Sequence, residues 1–157
     1  MSIASFVHAG RPLSSNKNVG TIGERIMGEY RALYGQRDGE PSDGHRYGIV
    51  HYFVRDYRPS IHADAGNISK RVWDALEGLA YQDDHVVRVQ ISSVIQYGPT
   101  EGDGISYTDI DLSAVPDDDL AAILQNIALG TEHFIYVELG PLRPGMFVFG
   151  LAKDARE

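Results

Sequence analysis

The stretch from Tyr47 to Gln96 constrains the fold most, because its hydrophobic pattern changes twice. Residues 47–57 are rich in β-forming side chains and predict a strand. After Asn67, apolar residues recur on one face of a helix: Ile68, Val72, Ala75, Leu76 and Leu79. Residues 86–96 then alternate between apolar and polar side chains, which predicts a second strand. This part of the chain must therefore form a strand, a helix and a strand in that order.

The remaining segments repeat the same two patterns. They predict a strand over residues 3–8, helices over 22–34 and 116–128, and strands over 134–138 and 146–151. The acidic run Asp117-Asp118-Asp119 follows Pro116 and is interpreted as a helix start rather than a metal cluster. The order β-α-β-α-β-α-β-β predicts one domain over residues 1–157. Its class is α/β or α+β, with a mixed sheet and about three helices.

Composition excludes several classes of protein. The chain has no cysteine, so disulfides, thiolate catalysis and cysteine zinc sites are ruled out. No apolar run is long enough to span a bilayer, which predicts that the chain has no membrane partner. The first ten residues lack the basic segment and the long apolar segment of a signal peptide, so we expect a cytoplasmic protein.

The charge of the chain is unevenly distributed. Residues 1–71 contain 10 Lys and Arg against 7 Asp and Glu, a net of +3, whereas residues 72–157 contain 4 against 15, a net of -11. The total of -8 argues against a surface that coats DNA throughout. The asymmetry predicts a local basic face beside an acidic pocket. The alternative is that the acidic half is an ordinary solvated face.

The chemically informative residues lie around the central helix. Asp64 and Asn67 precede its apolar pattern, Lys70 follows one turn later, and Asp83-Asp84 comes beyond its far end. Chemistry on a phosphodiester needs carboxylates that hold divalent metal ions and a cation that balances developing charge. Each residue also has a simpler interpretation: Asp64 as a helix cap, Lys70 as a surface partner of Asp74, and Asp83-Asp84 as a turn. The single tryptophan, in the helix, is interpreted as a packing residue.

Three sequence patterns together resemble the RusA family of Holliday-junction endodeoxyribonucleases. They are Gly10-Arg-Pro-Leu-Ser-Ser-Asn16 after a first strand, Asp-x-x-Asn-Ile-x-Lys-x-x-x-Asp-Ala-Leu from Asp64, and Tyr-x-Asp-Asp from Tyr81. The central match spans residues 62–89. The resemblance implies a small homodimer that cuts branched DNA during recombination and repair, with magnesium held by aspartates.

The resemblance also implies roles for individual residues. Asp64 and Asp84 match metal-binding and catalytic aspartates, and Lys70 matches a catalytic lysine on the helix. Asp83 is a further candidate metal ligand. The candidate DNA contacts are Asn67, which belongs to the motif, and the basic residues Arg11, Lys17, Arg55 and Arg58.

Gly66 departs from the family motif, which reads Asp-x-Asp-Asn. A glycine carries no ligand, so the site lacks one carboxylate and should hold Mg²⁺ more weakly. His62, two residues before Asp64, could supply a nitrogen, which suits Mn²⁺ better than Mg²⁺; its simpler interpretation is an exposed loop histidine. The alternative function is a RusA-like homodimer that no longer cuts and serves as a DNA-structure or protein-binding module. A third possibility is a dimeric structural protein with no role on DNA.

Overall fold

Eight helices and strands form the part of the chain that the computed structural model describes, residues 3–10, 20–34, 44–81, 83–98, 105–106 and 110–147. In chain order they are β1 (Ala4–Ala9), α1 (Gly20–Tyr34), β2 (Arg46–Val54), α2 (Ala65–Leu76), β3 (Val87–Gln96), β4 (Ile105–Ser106), α3 (Asp117–Leu129) and β5 (His133–Pro141). A short 3-10 turn, Asp84–Val86, leads into β3.

The strands form one mixed sheet in the order β1-β5-β2-β3-β4. β2 and β3 are parallel, as are β3 and β4, whereas β5 is antiparallel to both of its neighbours, β1 and β2. β1, β2 and β3 therefore all point in one direction, and β5 lies between the first two of them. This arrangement confirms the predicted small α+β domain with a mixed sheet and three helices.

The helices cover both faces of the sheet. One core cluster joins α1 and α2 to the sheet through Ile26, Val72, Ile135 and Val137, and the other joins α3 through Ile123, Phe134 and Tyr136. Successive side chains of β5 thus enter opposite cores, as a strand requires. No helix within the described ranges is long and apolar enough to cross a membrane.

Some predicted boundaries were wrong. α2 begins at Ala65, before Asn67, because Asp64 caps it. β2 ends at Val54 rather than at residue 57, and β5 continues to Pro141 rather than ending at residue 138. Of the predicted strand 146–151, residues 146 and 147 are not in a strand, and the others lie outside the described residues. The acidic run before Leu120 does begin a helix, as predicted.

Trp73 fixes α2 against the sheet. Its ring is 2% exposed, and its indole N–H donates to Ser69 Oγ at 2.9 Å. The ring lies over Gly48 of β2, where a Cβ atom would come within 2.4 Å of Trp73 Cζ2. The predicted packing role of this tryptophan is confirmed, and the missing side chain at residue 48 determines how closely α2 approaches the sheet.

A polar network lies on the face of the sheet that α3 covers. The hydroxyls of Tyr47 and Tyr136 both donate to the Glu138 carboxylate, the first at 2.5 Å. Burial and the hydrogen bond to the Glu138 carboxylate raise the pKa of both tyrosines well above the ordinary value. Burial also lowers the pKa of His51, whose Nδ1 lies 2.6 Å from Ser93 Oγ.

We expect this network to make the fold sensitive to alkali. The two tyrosines ionise near pH 10 in the unfolded chain but stay protonated in the folded chain, so stability is full below pH 10 and falls above it. Each such tyrosine contributes a slope of about 1.4 kcal/mol per pH unit above about pH 10. Unfolding midpoints between pH 8 and 11 measure this slope, and Tyr136→Phe should make it shallower. A slope unchanged by Tyr136→Phe would contradict the assignment.

Candidate functional site

The candidate site lies at the edge of the sheet where β1, β2 and β3 end. His133 begins β5 at the same edge and is paired with Val54, the last residue of β2. The chain from Arg55 to Asp64 crosses this edge and leads into α2. In open sheets with parallel strands, ligands commonly bind outside the carboxyl ends of those strands. The segment that carries the RusA-like motif therefore starts at a favourable place.

Asp64 is the N-cap of α2. Its Oδ1 accepts from the backbone N–H of Asn67 at 2.8 Å, and its Oδ2 accepts from the Asn67 side-chain amide at 2.7 Å. The capping interpretation of Asp64 is thus confirmed, and both of its oxygens have a donor. Because a carboxylate oxygen can accept more than one bond, these contacts orient Asp64 without preventing a further ligand. The side chain is exposed at the positive end of the helix dipole.

Lys70 and Asp74 are exposed on the outer face of α2. They form no ion pair with each other, although both belong to the described part of the chain. Lys70 follows Gly66 by four residues and so shares its side of the helix. The ammonium group is therefore available to an anion that approaches the first turns of α2.

Gly66 is the second residue of α2 and has no positive φ. The strain that substitution would cause at a positive φ is therefore absent. A Cβ atom at this position would lie 3.4 Å from Asp64 Oδ1, an ordinary contact distance. A side chain fits here beside Asp64.

His62 is not arranged to act as the metal ligand that was considered as an alternative role for it. The backbone N–H of Arg58 donates to His62 Nδ1 at 2.7 Å, which leaves the proton of a neutral imidazole on Nε2. Ligation through Nε2 would need the proton on Nδ1, where it would face the Arg58 N–H. The ring instead stacks on Tyr57 and meets His133 edge-on, with centroids 5.7 Å and 5.3 Å away.

This aromatic cluster was missed by the sequence analysis. His133 Nδ1 lies 2.8 Å from the Tyr52 hydroxyl, so the cluster connects β2 and β5 with the turn before Asp64. No local pattern indicates it, because His62 and His133 are far apart in sequence. It fixes the approach of the chain to α2 and thereby the position of Asp64.

The second acidic pair lies at the opposite edge of the sheet. Asp84 begins the turn before β3, and Val87, the first residue of β3, is paired with Arg46 at the start of β2. α2 runs between the two edges, and its 12 residues span about 18 Å at about 1.5 Å per residue. Within one protomer, the backbone at Asp64 and the backbone at Asp84 therefore lie at opposite edges of the sheet.

Asp83 has a local role in this turn. Its Oδ1 accepts from the backbone N–H of His85 at 3.1 Å and lies 2.6 Å from His85 Nδ1. Among the described residues, no group of three or more histidine and acidic side chains could hold a metal ion. The metal ion therefore stays a prediction, and its ligands are not assembled among the described residues of one protomer.

The predicted basic contacts are partly assembled at the Asp64 edge. Arg55 and Arg58 follow β2 directly and are exposed; Arg55 Nε lies 3.7 Å from Asp56 Oδ2. Arg71, which also lies in the basic half of the sequence, is 5% exposed and belongs to the interior. Arg11 and Lys17 lie outside the described residues.

Comparison of the chain with protein-family models and with curated protein sequences finds no match. The resemblance to the RusA family therefore rests on the residues quoted above.

Proposed function

We propose that this protein is a RusA-like homodimeric endodeoxyribonuclease that cuts branched DNA with a divalent metal ion, Mg²⁺ or Mn²⁺. The observation that carries the proposal is the arrangement at the start of α2. A capped, exposed Asp64 lies in the same first turns as Asn67 and Lys70, at the edge where Arg55 and Arg58 are exposed. A carboxylate suited to a metal ion and side-chain cations suited to DNA phosphates thus lie in one accessible region.

Each group has a distinct task in this proposal. Asp64 of one protomer, together with Asp83 and Asp84 of the other protomer, would hold the metal, and Lys70 would neutralise charge on the phosphate. Arg55 and Arg58 would contact the DNA backbone, which positions a substrate without reading its sequence. A bound divalent metal ion would supply the chemistry of phosphodiester cleavage. We place the protein in the cytoplasm.

A second function is favoured by two specific observations. Gly66 removes one carboxylate of the family motif, and α2 separates Asp64 from Asp84 within a protomer. Both would suit a homodimer that binds branched DNA without cutting it. Arg55, Arg58 and Lys70 would then bind the DNA backbone without a metal ion.

A single set of assays separates these functions. The purified chain is incubated with a four-way junction and with linear duplex, in Mg²⁺, in Mn²⁺ and in EDTA. The nuclease predicts metal-dependent cuts in the junction, whereas the binder predicts none but retains affinity that falls steeply with salt. Absence of both cleavage and salt-sensitive binding would overturn both functions and favour a structural protein.

We predict that Gly66→Asp tightens divalent-metal binding by at least about ten-fold, or about 1.4 kcal/mol. The new carboxylate would extend from a Cβ that lies 3.4 Å from Asp64 Oδ1, and it adds a hard ligand to a site short of one. An acid in the first turn also suits the helix dipole, so the melting temperature should not fall. Calorimetric titration with Mn²⁺ measures the affinity.

Gly66→Asn is the matched control, because it has the same size and no charge. It should leave metal affinity close to that of the unmodified chain. If Gly66→Asp folds normally but binds Mn²⁺ no better than Gly66→Asn, the missing carboxylate is not what limits the site.

A further inference from the structure

A cavity of about 420 Å³ lies at the edge of the sheet where β2 and β3 begin. Its volume falls within the range of roughly 300–1,000 Å³ that is typical of pockets for small molecules. The wall is mainly apolar, and two side chains with N–H groups complete it. The residues that carry the argument are Val89, Leu142, Met146, Phe147, His45 and Arg143. None of them has a task in the proposed nuclease.

A hydrogen-bonded turn fixes one side of this cavity. The backbone N–H of Met146 donates to the carbonyl of Arg143 at 3.2 Å, and a proline and Gly145 lie between them. Gly145 has a φ of +74°, and proline followed by glycine is the pair that a type II turn favours at its centre. The backbone N–H of Leu142 donates to the carbonyl of His45 at 2.9 Å, which holds the turn against the start of β2. The backbone that carries Arg143 is therefore fixed on both sides.

Phe147 provides an aromatic ring whose position is supported from below. It meets the ring of Tyr47 edge-on, with centroids 5.5 Å apart. Tyr47 is 3% exposed, and its hydroxyl donates to the Glu138 carboxylate at 2.5 Å. Gly140 of β5 allows this close packing, because a Cβ there would come within 2.6 Å of Tyr47 Cε1. The wall is thus built before a ligand arrives, which lowers the free-energy cost of binding.

Arg143 brings a positive charge to the rim of the cavity. It is one of only four Lys and Arg among residues 72–157, which contain 15 Asp and Glu. Its side chain is exposed and forms no ion pair with any residue that the structure describes. A guanidinium presents a planar fork of donors that matches a carboxylate or a phosphate. Its place beside an apolar wall favours a ligand that joins an anionic group to an apolar ring.

We propose that this cavity binds a small aromatic anion, with the ring of the ligand against Phe147 and its carboxylate or phosphate on Arg143. Offset stacking on Phe147 would hold the ring, and His45 would add an imidazole N–H donor. A free aromatic carboxylate and a nucleotide share this chemistry. The site is an additional function, since it uses no residue assigned to DNA cleavage.

Calorimetric titration of the full chain with matched probes tests the site. The anions are indole carboxylate and deoxyadenosine monophosphate, and their uncharged counterparts are indole carboxamide and deoxyadenosine. At least one anion should bind with a Kd of about 1 mM or tighter, and its uncharged counterpart should bind at least about ten-fold more weakly. The anion that binds more tightly identifies a free carboxylate or a nucleotide as the source. Equal affinity for charged and uncharged probes, or no binding of either anion at millimolar concentration, would overturn the proposal.

Arg143→Gln tests the anion contact, and Arg88→Gln is its matched control. Arg88 is also exposed and lies next to Val89 on β3, but it does not line the cavity. Arg143→Gln should weaken binding of the preferred anion at least about ten-fold and leave the uncharged counterpart unchanged, whereas Arg88→Gln should change neither. An equal loss in both variants would show a general effect of charge and would overturn the assigned contact.

Phe147→Leu tests the aromatic contact separately. Leucine keeps an apolar wall but removes the ring, so indole carboxylate should bind about three-fold more weakly or worse. Cyclohexanecarboxylate, an anion without an aromatic ring, should bind both proteins equally. An equal loss for the two anions would overturn the stacking on Phe147. Junction cleavage does not enter these measurements, so their outcome is independent of the proposed nuclease.

Discussion

Replacing Gly48 with alanine is expected to lower the free energy of unfolding by about 3 kcal/mol or more, a large share of a typical domain's stability. The added Cβ would lie 2.4 Å from Cζ2 and 2.5 Å from Cη2 of Trp73. The ring cannot easily move away, because it is buried and bonded to Ser69. Urea unfolding followed by tryptophan fluorescence measures the loss.

Gly28→Ala is the matched control for this prediction. Gly28 lies in α1, is exposed, and would place a Cβ with no atom within 4 Å. The same change there should stabilise the protein by about 0.5–1 kcal/mol, because alanine favours a helix over glycine. If Gly48→Ala is no less stable than the unmodified chain, Trp73 does not pack on β2 as described. The position of α2, and of the site at its start, would then also be wrong.

The spacing of apolar residues predicted most of the helices and strands, because this spacing can be seen in the local sequence. The start of α2 was harder to predict, since both Asp64 and Asn67 are good N-caps. The structure separates their roles: Asp64 accepts two bonds, and Asn67 supplies them. The choice depends on how the preceding turn approaches the helix, which His62 and its aromatic contacts determine.

Non-local features could not be predicted from the sequence. β5 enters the sheet between β1 and β2, although it is the last strand described. The 20 positions from Asp64 to Asp84 suggested proximity, but the helix between two parallel strands moves the chain from one edge to the other. A crossover connection thus places Asp64 and Asp84, which are only 20 positions apart in the sequence, at opposite edges of the sheet.

The other large effect concerns Asp64 itself. Asp64→Asn is expected to reduce metal-dependent cleavage of a four-way junction by at least about 100-fold, because it removes the charge that holds the metal. The fold should survive, since asparagine is an equally good N-cap and keeps an oxygen for the Asn67 backbone N–H. The loss of charge at the helix start should cost only about 0.5 kcal/mol of stability.

Asp118→Asn provides the matched control. Asp118 is also exposed in the first turn of a helix, α3, but this helix covers the other face of the sheet. The substitution therefore repeats the loss of charge at a helix start without touching the candidate site. It should leave the cleavage rate unchanged.

The most direct test is the rate of junction cleavage in Mn²⁺ by the unmodified chain, by Asp64→Asn and by Asp118→Asn, at equal protein concentration. We predict cleavage by the unmodified chain that EDTA abolishes, the same rate for Asp118→Asn, and no detectable cleavage by a folded Asp64→Asn. Equal cleavage by all three proteins would show that Asp64 holds no catalytic metal. No cleavage by any of them would contradict the proposed nuclease.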